Sequence, residues 1–121
     1  MRALILAVAL VAAAPAAAGV MDQARWSAGT IERRGPLTVT TALDFERAAP
    51  GEWRVRARCE TRDTRTGRWS ARTGSGVAVR SMRMVMIEAA PLGRLVLFPD
   101  GELAANTAAC AIGAADLGTG D

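Results

Sequence analysis

The clearest pattern in the chain is a strict alternation of apolar and polar side chains over residues 51–62. The odd positions from Trp53 to Cys59 carry apolar or small side chains, and the even positions carry arginine or glutamate. A period of two residues is typical of a strand with one buried face, whereas a helix would spread the arginines around its circumference. The segment therefore predicts a strand with one apolar face and one cationic face.

Similar alternation predicts a strand on each side of this segment. Residues 37–45 alternate in the same way, and residues 48–51, which contain Pro50 and Gly51, form the predicted turn between the two strands. Residues 63–67 have the polar, glycine-terminated chemistry of a hairpin loop, and residues 68–73 resume the alternation. We expect Thr61 to lie opposite Trp69 on the core face of this hairpin. On the outer face, the same register would set two arginine pairs opposite each other: Arg58 with Arg72, and Arg62 with Arg68.

The second half of the chain predicts further strands. Residues 77–88 are apolar on both faces, with methionines on one side, which is typical of a central strand; we expect the methionines to pack in the core rather than bind a metal. Residues 92–98 predict another strand, and residues 98–102, with Pro99 and Gly101, predict a hairpin turn. Residues 103–112 are rich in alanine and fit either a strand, which the hairpin context favours, or a helix.

These elements predict an all-β fold, a small antiparallel sandwich or barrel. Residues 51–53, Gly-Glu-Trp, resemble the GxW that opens the first strand of lipocalin-type barrels, although here a full strand precedes the tryptophan, so both architectures stay open. The predicted division of the chain is a signal peptide over 1–18, an irregular lead-in over 19–36, the antiparallel β-domain over 37–112 and a flexible tail over 113–121.

The amino terminus and the cysteines indicate export. Residues 1–18 combine a positive charge at Arg2, an apolar run and small residues before Gly19, which is the layout of a cleaved secretory signal. The remaining chain has no apolar stretch long enough to span a membrane. Cys59 and Cys110 have no metal-ligand spacing, and in an oxidising compartment such a pair predicts a disulfide. We expect a periplasmic or extracellular protein.

The side chains offer little catalytic chemistry. The chain has no His, Lys or Tyr, so acid–base work would fall on carboxylates alone. Residues 74–76, Gly-Ser-Gly, do not complete a GxSxG motif because residue 73 is Thr, and no histidine exists to activate Ser75. The sequence therefore predicts a protein that is not an enzyme and holds no cofactor or metal.

What remains is the arginine pattern. A mild positive excess does not by itself indicate nucleic acid. We expect a binding or accessory protein whose arginine-rich sheet face engages an anionic polymer or the acidic surface of another protein. The alternative is an inhibitor of an exported hydrolase, acting through the loop at 63–67 or at 74–76. The arginines predicted to bind the partner are Arg54, Arg56, Arg58, Arg62, Arg68 and Arg72.

Overall fold

The computed structural model describes residues 16–105 and 110–119. Over these ranges the chain forms one short helix followed by nine strands of a single antiparallel sheet. The elements are α1 (Ala16–Met21), β1 (Arg25–Arg34), β2 (Leu37–Ala49), β3 (Glu52–Asp63), β4 (Trp69–Ser81), β5 (Met84–Ala89), β6 (Gly93–Leu97), β7 (Glu102–Ala105), β8 (Gly113–Ala114) and β9 (Asp116–Thr119).

The sheet is an up-and-down meander that is nearly closed. Each strand from β1 to β7 pairs with the next along the chain, β8 pairs with β7, and β9 pairs with β1. Only Ala115 separates β8 from β9, so the carboxyl-terminal segment links the two edges of the sheet. The predicted antiparallel all-β fold is confirmed, and its form is barrel-like.

The core lies on the inner face of this sheet. Along β3, buried and exposed residues alternate from Trp53 to Cys59, as the sequence predicts. An aromatic cluster fills one end of the barrel: the rings of Trp26 and Phe45 stack with centroids 3.8 Å apart, and Trp53 meets Trp26 edge-on at 5.9 Å. The large apolar area of these three rings makes the cluster a main source of stability.

Two segments expected to be irregular are strands. β1 occupies most of the predicted lead-in over 19–36. β8 and β9 lie within residues 113–119 of the predicted flexible tail over 113–121, whose last two residues are outside the described ranges. The inward positions of β1 include Ala28 and Thr30, whose side chains are too small or too polar to give a hydrophobic pattern. β9 is ordered by its neighbour, since Leu117 pairs with Ala28 of β1. Residues 1–15 of the predicted signal peptide lie outside the described ranges.

The apolar segment 77–88 is a hairpin rather than one central strand. β4 ends at Ser81 and β5 begins at Met84, with Met82 in the turn at a φ of 59°. Val85 and Ile87 are buried, but Met82 is 87% exposed and Met86 is 44% exposed. The predicted core packing of the methionines is therefore wrong, because they lie in the turn and on the outer face of the sheet.

Residues 110–112 cross the inner face of the sheet near the ends of β1 and β3. The predicted disulfide is present and joins Cys59 to Cys110, whose Cα atoms are 5.9 Å apart. The carbonyl oxygen of Ala111 accepts hydrogen bonds from the hydroxyls of Thr30 and Thr41, at 2.7 and 2.6 Å. These bonds satisfy two buried threonine hydroxyls with one buried carbonyl. Of the segment 103–112, β7 confirms a strand only as far as Ala105, and residues 106–109 are not described.

Candidate binding surface

The outer face of β3 is cationic. Alternation along the strand turns its even-numbered side chains toward solvent, opposite the buried face that begins at Trp53. Glu52 and Glu60 are the acidic residues in this row, and the side chain of Glu60 is 27% exposed. The arginines that share this outer face are Arg54, Arg56, Arg58 and Arg62.

The hairpin between β3 and β4 closes in a different register from the predicted one. Arg62 lies opposite Trp69 and Arg58 lies opposite Thr73, so neither arginine faces another arginine. Arg72 lies opposite Cys59 instead. The predicted like-charge pairs are therefore wrong. A shift of one residue turns every side chain of the second strand to the other face of the sheet.

Asp63 accounts for the difference in register. The sequence pattern places Asp63 in the loop, whereas in the structure it is the last residue of β3 and its N–H donates to the carbonyl of Arg68 at 2.8 Å. Its carboxylate accepts the backbone N–H groups of Arg65 at 2.9 Å and Thr66 at 3.3 Å. Asp63 thus closes the ladder and caps the turn, which leaves residues 64–67 as the connection.

The new register divides the six predicted arginines. Arg68 lies between the turn and β4, and Arg72 is on the same face of the sheet as Cys59, although its side chain is exposed. The same shift brings Trp69 to the outer face beside Arg62, where it is 58% exposed. The predicted register places Trp69 on the core face, so the sequence does not predict it as a surface residue. Tryptophan and arginine together are typical of the energetic centre of protein interfaces.

Carboxylates neutralise part of the arginine row. Glu46 of β2 forms ion pairs with Arg25 at 3.1 Å and with Arg54 at 3.5 Å. Glu60 lies 3.0 Å from Arg58 and 3.9 Å from Arg62, so two arginines share one carboxylate. Among the described residues, three of the six predicted arginines have no ion pair within 4.0 Å: Arg56, Arg68 and Arg72.

The positive charge of the chain is concentrated at one end of this hairpin. Residues 58–72, called here the distal hairpin, contain five arginines and only two carboxylates, Glu60 and Asp63. The resulting excess of three positive charges equals the formal net charge of the whole chain, +3. The rest of the full sequence has ten basic and ten acidic residues, and one of the basic residues is Arg2 of the predicted signal peptide. A partner approaching the protein meets its net charge at the distal hairpin.

A second charged group holds the carboxyl-terminal segment in place. Arg34 donates a hydrogen bond from Nε to the Glu32 carboxylate and another from Nη2 to the carbonyl of Cys110, the latter at 3.2 Å. The hydrogen bond from Arg34, helped by the backbone N–H of Ile112, lowers the pKa of Glu32 below its ordinary value. This pair serves to anchor residues 110–112, because each member contacts that segment.

Other sites are few in the described part of the chain. No group of three His, Cys, Asp or Glu residues in residues 16–105 and 110–119 is arranged to hold a metal ion. Over the same ranges, no helix has the length and apolar character that crossing a membrane requires. The proposed inhibitory loop at 74–76 is not a loop, because these residues lie inside β4.

The outer wall of β4 to β7 carries exposed apolar side chains beside the ion pair of Glu88 and Arg94. Val77 is 56% exposed and Val79 is 46% exposed, and they line a shallow groove of about 560 Å³ together with Met86 and Val96. This wall borders the arginine row of β3, since Val77 lies directly opposite Arg54 and Val79 opposite Glu52. The two outer surfaces thus differ sharply in chemistry.

Compared with protein-family models, curated proteins and solved structures, the chain shows no significant match.

Proposed function

We propose that this protein is an exported binding domain that engages an anionic partner through the distal hairpin. The observation that carries the proposal is the location of the charge: the whole net charge of the chain resides in residues 58–72. Export is supported by the Cys59–Cys110 disulfide and by the secretory layout of residues 1–18. Arginine suits such a role because its forked donors match carboxylate and phosphate oxygens.

The distal hairpin also has the exposure that binding requires. The side chains of Arg58 and Arg62 are 45% and 58% exposed despite sharing Glu60, and that of Arg65 is 74% exposed. Arg68 and Arg72 are exposed as well and have no carboxylate partner among the described residues. An incoming anion would therefore meet arginine donors without first breaking a buried ion pair.

Two variants with the same change in net charge test the proposal. The first replaces Arg62, Arg68 and Arg72 by Ser, and the control replaces three exposed arginines outside the distal hairpin by Ser: Arg25, Arg83 and Arg94. The probes are a short peptide of alternating Glu and Val and a polyphosphate chain. Dissociation constants are measured by calorimetry at several salt concentrations.

We expect the wild type to bind at least one probe, with affinity that falls steeply as salt screens the charges. The distal variant should lose about tenfold in affinity, from the loss of three exposed charge contacts, and the control variant about twofold or less. Equal losses in the two variants would show that only total charge matters. That result, or failure of the wild type to bind either probe, would overturn the proposal.

A further inference from the structure

Strand β4 extends beyond the strand that pairs with it on one side. It pairs with β3 from Trp69 to Val79, but with β5 only from Gly76 to Ser81. Beyond this pairing, a hydrogen bond of 3.3 Å joins the N–H of Ala90 to the carbonyl of Ser75. In the described part of the chain, no strand pairs with residues 69–73 along that edge.

The backbone groups on this open edge can be identified. The carbonyl of Arg68 accepts from Asp63, which places the even-numbered backbone groups toward β3, and the carbonyl of Ser75 points the other way, toward β5. Alternation then directs the N–H and C=O groups of three residues to the open edge: Trp69, Ala71 and Thr73. Such a row of backbone groups is a template for an added strand.

The chain ends β5 at the place where the open edge begins. β5 stops at Ala89, and Pro91 follows, which cannot donate to a ladder. A Cβ on Gly74 would lie 2.1 Å from the carbonyl oxygen of Ala90, and one on Gly76 would lie 1.9 Å from that of Glu88. Gly76 thus lets the end of β5, and Gly74 the residue after it, lie close to the backbone of β4. The chain then turns at residues 90–92, so within the described ranges no strand continues β5 alongside residues 69–73.

The side chains beside the edge favour one kind of occupant. On the outer face, Trp69 lies next to Arg62 and Thr73 lies next to Arg58, with the small Ala71 between them. Arg72 projects from the opposite face and is exposed. A second copy of this edge would bring like charges together, which is unfavourable across a sheet. An acidic strand would meet arginines on both faces.

We propose that the distal hairpin binds an extended, acidic segment of a partner polypeptide, which adds to β4 as a new strand in line with β5. This inference rests on the proposed function and specifies its partner. The backbone of residues 69–73 supplies the hydrogen bonds, and the arginines select acidic side chains at alternate positions of the segment. Trp69 offers an apolar surface for the residue beside it.

Replacing Ala71 by Pro tests the role of the backbone. Proline removes the N–H of Ala71, which points to the open edge, without changing any charge or any bond to β3. The control is Ala71→Val, which keeps the N–H and suits a strand. Binding of the Glu-Val peptide and of polyphosphate, which has no backbone amides, is compared for both variants and the wild type.

We expect Ala71→Pro to weaken peptide binding about tenfold, which corresponds to about 1.4 kcal/mol, and to leave polyphosphate binding within about twofold. Ala71→Val should bind both probes like the wild type. If Ala71→Pro binds the peptide undiminished while the distal arginine variant does not, strand addition is wrong and the proposed function stands. If the wild type binds neither probe, both fail.

Hydrogen exchange in the wild-type protein gives a second measurement that does not depend on a proline variant folding. The peptide should slow exchange at the amides of Trp69, Ala71 and Thr73, which face the open edge. The amides of Ser70 and Arg72 face β3 and should already be protected. Binding that leaves the three edge amides unprotected would overturn the proposal.

Discussion

Trp53 and Arg54 are neighbours in sequence, but β3 places them in opposite environments. Trp53 is 2% exposed and packs edge-on against Trp26. Arg54 is exposed, and its ion pair with Glu46, at 3.5 Å, lies on the surface. Trp53→Ala should lower the free energy of unfolding by about 3–5 kcal/mol, and Arg54→Ala by about 0.5 kcal/mol or less. Denaturant titrations of the two variants measure both values, and equal losses would contradict the facing of β3.

Single residues also mark the limit of what the sequence predicts. The alternation from Trp53 to Cys59 correctly predicts which side of β3 is buried, because an apolar and a cationic face are chemically unmistakable. Asp63 has no such signature: aspartate fits a loop as well as a strand end that caps a turn. In the closed hairpin, Asp63 ends β3 and caps the turn. This sets a register in which Trp69 lies on the surface, whereas the predicted register places it in the core.

At the scale of the strand, β4 shows how glycine allows two backbones to approach closely. Gly76 lies opposite Val55 on one side and Ala89 on the other, and a Cβ there would lie within 1.9 Å of a backbone oxygen. Gly76→Ala should therefore cost about 2–3 kcal/mol of unfolding free energy or more, because backbone must move to make room. The matched control is Ser75→Ala, at the exposed position beside it, which should stay within about 0.5 kcal/mol. Thermal unfolding with equal midpoints would contradict the close approach.

Strands with a strong alternating pattern were predictable, and those ordered by their neighbours were not. β2 and β3 follow such a pattern along most of their length. β1 buries Ala28 and Thr30, whose small or polar side chains resemble those of a loop, and β9 is a short strand that depends on β1. The segment 77–88 has the composition of one strand, but Met82 and Arg83 form a turn that no glycine or proline marks.

At the scale of the molecule, the two outer walls of the sheet have separate characters. The wall containing β3 carries the arginine row, and the wall of β4 to β7 carries exposed valine and methionine. The sequence predicts the arginine row correctly, because it depends on alternation within one strand. It does not predict that ion pairs offset much of the row, since these depend on neighbouring strands. The excess charge of residues 58–72, by contrast, can be counted from the sequence.

The central claim is that an acidic partner binds at the distal hairpin, and a titration followed by NMR tests it most directly. The isotopically labelled, disulfide-bonded protein is titrated with the Glu-Val peptide, and chemical-shift changes are recorded for every assigned backbone amide. The account predicts that the largest changes cluster in residues 58–73, with Trp69, Ala71 and Thr73 among them, and that added salt suppresses them. Changes that cluster on the apolar wall around Val77 and Met86, or that spread evenly over the sheet, would contradict it.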